Sequence, residues 1–406
     1  MSLGRDAAEN LPQPAALMGI NRPGLALLGL GHLFDDVNQG AVPAMIPYFI
    51  AEHGLTYAAA AGLVLAVTIT SSVVQPFLGQ ASDRRPSPWL IPVGLLCAGG
   101  GLALATVMPT YLLIFLALGL CGLGVAAFHP EGARFAVRMA GARRATGMSL
   151  FALGGTIGFA AGPLLATPLL LAFGLRGAVF VALPAIATAL ILARQVPRLS
   201  AAPARPSVGA VAAKQAAGAD AWWPFVRLTG AVICRSIVFY GMNTFVPLYW
   251  LAVLHQSAAA GGAALSLMLV SGAAGTVLGG WLADRYGRRP VVLLGLGLLS
   301  PLLAVFLTQG DPRLAMALLV PIGLALYLPF SVMVVMGQEY LPNRVGTASG
   351  VTMGLAVSVG GLAAPVLGQI ADHSGIGAAL TVIAFLPLLA TAFAITLPVR
   401  KLRPVA

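Results

Sequence analysis

Gly79-Gln80-Ala81-Ser82-Asp83-Arg84-Arg85 and Gly280-Trp281-Leu282-Ala283-Asp284-Arg285-Tyr286-Gly287-Arg288-Arg289 are two copies of one device, and they decide the fold. Each follows a long apolar run, opens on Gly, reaches Asp-Arg one helical turn later, and leads into a further apolar run. A charged hinge repeated between the second and third apolar segments of each half marks a chain built from two like bundles. Other positions keep the same register. A nearly constant offset pairs Pro47 with Pro247, Asp83 with Asp284 and Pro163 with Pro365.

Composition places those bundles in lipid. Of 406 residues, 59% are hydrophobic and only 9% charged, too few charges to cover a water-facing surface. The net charge of +11 does not indicate nucleic acid, because the cations stand at the ends of apolar runs without a basic face or interleaved aromatics. Cys97, Cys121 and Cys234 lie inside apolar runs with no paired spacing, so neither disulfide nor metal is expected of them. The five histidines are dispersed, no HExxH, GxSxG or phosphate-loop pattern occurs, and no cofactor, metal or enzymatic activity is expected. The first residues lack a signal-peptide pattern, which leaves the first span as the insertion signal.

Twelve spans are expected, near 24–50, 57–80, 89–107, 110–135, 145–173, 177–194, 223–253, 261–282, 290–309, 313–339, 345–371 and 376–397. The chain therefore reads as an all-α membrane protein of twelve transmembrane helices in two pseudo-symmetric six-helix bundles. The bundles are 24–194 and 223–397, joined by a Pro/Ala/Ser-rich linker at 195–222 and flanked by tails at 1–23 and 398–406. Of the 23 Lys and Arg, all but Arg176, Arg313 and Arg235 fall on the side of the termini and linker. That asymmetry makes both termini cytoplasmic. The Arg-dominated composition fits a bacterial inner membrane, with the lipid bilayer as partner and the protein acting as a monomer.

Polar residues deep in the spans are the candidates for function. In the first span His32, Asp35, Asp36 and Gln39 share one helix face. Two adjacent aspartates near mid-membrane persist where they face a wet cavity, meet a cation or hold a proton, and the competing reading is a polar patch that fixes helix packing. The seventh span carries Arg235, the only cation placed so deep and the pseudo-symmetry mate of Asp35. Its planar fork suits a carboxylate or phosphonate, the alternative being a structural Arg–Asp pair. Tyr240 and Asn243 share that span. In the fourth span Phe128-His129-Pro130-Glu131 precedes Arg134 and Arg138; His129 with Glu131 is a candidate proton path, and the arginines read as snorkelling to headgroups. Gly158/Gly162 and Gly275/Gly279 predict close helix packing.

The repeated loop, the six-plus-six spans and the long central linker resemble the major facilitator superfamily. The second copy follows its G-x-x-x-D-R-x-G-R-R pattern, whereas the first has Pro86-Ser87-Pro88 where Gly-Arg would follow. Gly158-x-x-x-Gly162-Pro163 is similar to the Gly-Pro motif of antiporter branches, but Leu118 stands where their fourth span has Arg. His32-x-x-x-Asp36, Gln75-Pro76-x-x-Gly79 and Phe128-His129-Pro130-Glu131 resemble the fosmidomycin-resistance transporters. The resemblance implies proton-coupled efflux of a small antibiotic-like or anionic compound by alternating access, with the first and seventh spans facing one cavity. Arg235, Asp35, Asp36, Gln39, His32, Tyr240 and Asn243 would then bind substrate, and Asp35, Asp36, His129 and Glu131 would carry protons. Arg235 would alternate between an aspartate and the substrate anion. Gly79, Asp83, Arg84, Gly280, Asp284, Arg285, Gly287, Arg288 and Arg289 would form a cytoplasmic latch, with each Asp at the start of the helix that follows. A proton-coupled importer of a small organic anion would use the same residues and stays open here.

Overall fold

The computed structural model describes residues 21–85, 87–140, 144–201 and 219–398. The expected linker beyond Ala201 up to 218, the tail beyond 398 and residues 1–20 lie outside the described residues. Within them the chain is helical throughout. The first bundle comprises α1 (Arg22–His53), α2 (Tyr57–Arg84), α3 (Leu90–Ala105), α4 (Tyr111–Met139), α5 (Arg144–Phe173) and α6 (Ala178–Ala201). The second comprises α7 (Trp222–Ala252), α8 (Ala258–Tyr286), α9 (Arg288–Leu307), α10 (Pro312–Tyr340), α11 (Gly346–Ser374) and α12 (Ile376–Ile395). Two of these are interrupted. A turn at Leu328-Pro329 divides α10, and a π-helical stretch Gly350–Leu355 interrupts α11.

Local chemistry sets the helix ends alike in both halves. The Thr56 side chain accepts from the Ala59 N–H at the start of α2, and Ser257 does the same for Ala260 at the start of α8. Gly287, at φ 93°, turns the chain from α8 into α9, a conformation that L side chains rarely adopt. One expectation is corrected here. Asp83 and Asp284 belong to the last turns of α2 and α8, not to the starts of α3 and α9, because α2 runs to Arg84 and α8 to Tyr286. The first bundle also ends later than expected, with α6 continuing past 194 to Ala201.

Packing repeats between the bundles: α1 lies on α5 as α7 lies on α11, α2 on α4 as α8 on α10, and α3 on α6 as α9 on α12. The bundles meet through α2 with α11 and α5 with α8. Small residues allow that approach: an added Cβ at Gly361 would meet Thr68, at Gly368 the backbone of Ala58, and at Gly262 the Thr167 side chain. Within bundles, Gly158 and Gly162 press on the α1 backbone at Leu33 and Gly40, and Gly275 and Gly279 on the α10 carbonyls of Leu324 and Leu328. The outer surface is apolar, with Phe77, Leu112, Val277 and Phe385 exposed, as a lipid-facing wall requires.

The buried apolar residues form three clusters, and their division describes the conformation. One cluster is shared by both bundles and gathers the end where α1 stops and α2 begins, including Met45, Phe49, Leu102, Phe245, Trp250, Leu265, Phe306 and Ile383. At the opposite end, where α1 begins and α12 stops, each bundle keeps its own core. Leu28, Ile91, Phe128, Phe135 and Leu192 form one; Phe225, Val292, Met333 and Ala390 form the other. The halves are thus fused at one end and divided at the other.

Candidate functional site

The polar stripe of α1 meets α4 and α5 where the divided half begins. His32 and Asp36, one turn apart, stand beside His129 of α4. The His32 Nδ1 donates to the Phe151 carbonyl at 2.7 Å, and the His129 Nδ1 donates to the Val125 carbonyl at 2.8 Å. A carbonyl only accepts, so each Nδ1 carries a proton, and a ring that is neutral in this arrangement has a bare Nε2. These two Nε2 atoms lie 3.1 Å apart. Asp36 flanks both, with Oδ2 at 3.4 Å from His32 Nε2 and Oδ1 at 3.5 Å from His129 Nε2. Two lone pairs facing each other beside a carboxylate repel unless a cation joins them. Phe151 stacks on the His32 ring at 4.1 Å, and Gly155 of α5 leaves the space in which His32 and Asp36 meet.

Asp35 points away from that pair. It is fully buried, its Oδ2 lies 3.4 Å from His129 Nδ1, and neither oxygen has a hydrogen-bond partner among the described residues. Gln39, one turn beyond Asp35, reaches toward Ser71 of α2 and lines a cavity between the bundles with Pro43, Thr68, Phe159, Tyr240 and Asn243. The stripe therefore divides, with His32 and Asp36 joining His129, Asp35 buried against the same histidine, and Gln39 in the central cavity.

Arg235 is buried within the second bundle, between α7 and α10. Its Nε donates to the Leu326 carbonyl at 3.0 Å, and its guanidinium lies over Phe330 at 4.8 Å, with Phe239 and Tyr327 at 6.0 Å. The interruption of α10 explains this site. Pro329 has no N–H for the Ala325 carbonyl, and the turn at Leu328-Pro329 parts the Leu326 carbonyl from the Phe330 N–H, leaving it to accept from Arg235. The expected Arg235 pair with Asp35 or Asp36 is absent among the described residues, because the aromatic cage and the Leu326 carbonyl hold the guanidinium on the α10 side. Tyr240 lies within electrostatic range of both Arg235 and Asp36. Asn243 donates to the Phe239 carbonyl at 2.7 Å, as its counterpart Asn38 donates to Phe34 at 2.6 Å.

Glu131 does not join His129. Its carboxylate is fully buried, accepting from Arg134 at 2.6 Å and from the Ser87 N–H at 2.8 Å, and so ties α4 to the α2–α3 turn. Pro130 packs near Gly79 of the first loop. In the second loop Arg288 pairs with Glu339 of α10, Arg289 donates to the Ile395 carbonyl at the end of α12, and Arg285 lies over Trp281 and Tyr286. Gly280 faces open space, Asp284 and Arg84 are exposed, and the side chain of Asp83 is outside the described residues. Sequence reading missed Phe151, Gly155 and Phe330. The Gly154-Gly155 pair and Pro329-Phe330 were the available signals for two of them.

Two pseudo-symmetric six-helix bundles that share a core at one end, with ionisable side chains buried between their helices, have the architecture of a secondary membrane transporter. The family model for the Major Facilitator Superfamily matches residues 28–365, and the chain belongs to that superfamily. It is 34% identical over 378 residues to the MFS-type transporter YfnC of Bacillus subtilis (strain 168), covering 90% of this chain and 91% of that one. It is 32% identical over 397 residues to the Fosmidomycin resistance protein of Escherichia coli (strain K12), covering 94% and 96%. Among solved structures it is similar to a bacterial homolog of the human lysosomal transporter Spinster, with TM-score 0.78, 16% identity and coverage of 95% and 97%. The chain is a multi-pass transporter and not an enzyme.

Proposed function

We propose that this transporter exports a small anionic, antibiotic-like compound of the fosmidomycin type across the bacterial inner membrane in exchange for protons, both termini being cytoplasmic. The observation that carries the reading is the close approach of the His32 and His129 Nε2 atoms, 3.1 Å apart beside the Asp36 carboxylate. A proton placed there turns a repulsive contact into a shared charge-assisted hydrogen bond, and Asp36 stabilises the imidazolium so formed. The buried Asp35 beside His129 offers a second carboxyl for the same proton. Arg235 supplies the anion side. Its guanidinium makes one hydrogen bond to a carbonyl and keeps further donors for a phosphonate or carboxylate entering between α1 and α7. Tyr240, Asn243 and Gln39 line a small cavity between the two bundles.

Protonation and anion binding then act on one equilibrium. The first changes the charge of the α1–α4 cluster and the second neutralises Arg235, and each shifts the bundles only through its different affinity for the two states. Glu131 is assigned to holding the α2–α3 turn through Arg134, and the Asp-Arg loops to latching the helix ends on the termini side. The test is susceptibility to fosmidomycin in a sensitive bacterium. Expression of the wild-type chain raises the inhibitory concentration, and Asp36→Asn at equal membrane abundance returns it to the empty-vector value. Wild-type expression without protection, and with fosmidomycin uptake increased, would instead mean import.

A further inference from the structure

From the geometry of His32, Asp36 and His129 we infer a binding site for a borderline divalent metal ion of the zinc class. The ligand atoms are two imidazole Nε2 and one carboxylate oxygen, all within 4.8 Å of one another. The two Nε2 atoms are 3.1 Å apart, and the Asp36 carboxylate spans the pair, with Oδ2 3.4 Å from His32 and Oδ1 3.5 Å from His129. A tetrahedral ion with bonds of about 2.0–2.1 Å holds its ligand atoms about 3.4 Å apart, so rotation of the Asp36 carboxyl to direct one oxygen at both imidazoles would close the set around an ion. Nitrogen-rich donor sets of this kind select zinc, cobalt and nickel over magnesium or calcium, which prefer oxygen alone.

The outer contacts are those of a built site. Each histidine donates its other ring N–H to a backbone carbonyl, Phe151 for His32 and Val125 for His129, which fixes the tautomer and aims Nε2 inward. Phe151 stacked on His32 and the buried Asp35 beside His129 complete the second layer. Gly155 keeps the opposing wall of α5 free of a side chain that would displace His32 Nε2 and Asp36 Oδ2. The fourth position remains for water or for an oxygen of an anionic cargo, on the side where His129 is 21% and Asp36 13% exposed. No metal-ligand spacing is visible along the chain because the ligands come from two helices, α1 and α4. Both belong to one bundle, so the site persists as the bundles rock and can present its ion to either side. The inference stands on these contacts and needs no transport activity.

The test is binding of Zn2+ alone to the purified full-length transporter by titration calorimetry, with Co2+ as a spectroscopic probe. The expectation is one ion per chain, with the visible absorption of tetrahedral Co2+ and its displacement by Zn2+. His129→Gln should weaken binding at least about tenfold, since even outer-layer partners contribute ten- to a hundredfold. Gly155→Ala, which keeps all three ligands but places a methyl among them, should weaken it as well. His373→Gln, outside the cluster, should leave it unchanged. Equal affinity in wild type, His129→Gln and Gly155→Ala would overturn the site, as would an octahedral Co2+ spectrum or no bound ion at all. A wild-type chain that exports fosmidomycin but binds no Zn2+ would refute the metal site and leave the transport reading in place.

Discussion

Arg235 shows how far a single residue can be read. Its depth and its register with Asp35 are in the sequence, but its partner is not. The guanidinium turns to Leu326 and the Phe330 face because Pro329 opens α10 there, a contact between segments far apart in the chain. A cation over an aromatic face is held by the ring quadrupole as well as by hydrogen bonds. Arg235→Lys keeps the charge and loses the fork, and charge-assisted hydrogen bonds contribute about 1.5–3 kcal/mol each. We expect export of an anionic compound to fall at least about tenfold in Arg235→Lys while a neutral compound is less affected, measured as efflux rate from preloaded cells. Equal loss for both would assign Arg235 to packing. Glu131 is the contrasting case. Adjacent to His129 and Pro130, it was a natural member of a proton path, yet helix geometry turns its carboxylate to Arg134 and the Ser87 N–H. Glu131→Ala, which leaves the Ser87 N–H without its acceptor and Arg134 with only the Ser82 carbonyl, should lower stability by about 2 kcal/mol, read as a reduced melting temperature in detergent.

At the scale of helices, lipid made the sequence legible. A backbone in hydrocarbon must satisfy its own hydrogen bonds, so spans appear as uninterrupted apolar runs with charges at their ends, and the helices stand close to where those runs lie. Ends were less legible. Asp83 and Asp284 finish the preceding helices, because only local geometry, such as Gly287 at φ 93°, decides where a helix stops. The glycine spacings predicted close packing but not its partner, which proved to be α1 for Gly158 and α10 for Gly275. Gly158→Val would drive a branched side chain into the Leu33 carbonyl. Overpacking of this kind costs about 1–3 kcal/mol, and the expected readout is a lower melting temperature with the α1 polar cluster disturbed. A variant as stable as wild type would mean that α1 and α5 separate freely.

For the whole molecule, the internal repeat announced two bundles, but the sequence is silent on how they lean. The same residues serve every state of a rocking transporter, so conformation follows from packing alone. Here the shared core gathers at one end, and Asp372 of α11 accepts from the Tyr57 and Ala58 N–H groups at 2.7 and 3.0 Å, capping α2 across the bundle boundary. A carboxylate at a helix N-terminus contributes about 0.3–1 kcal/mol when exposed. Asp372→Asn should therefore shift the closed-to-open ratio at this end by up to about fivefold, seen as a longer mean distance between spin labels near Tyr57 and Asp372. An unchanged distribution would leave closure to the apolar core.

The central claim is that the His32–Asp36–His129 cluster exchanges protons for an anionic cargo. Its most direct test is proton movement in proteoliposomes carrying an imposed pH gradient, followed with an internal pH dye as fosmidomycin is added. Wild type should couple fosmidomycin flux to a pH change of opposite direction, and Asp36→Asn should show neither coupled flux nor pH change. Fosmidomycin flux in Asp36→Asn with wild-type proton movement would contradict the account.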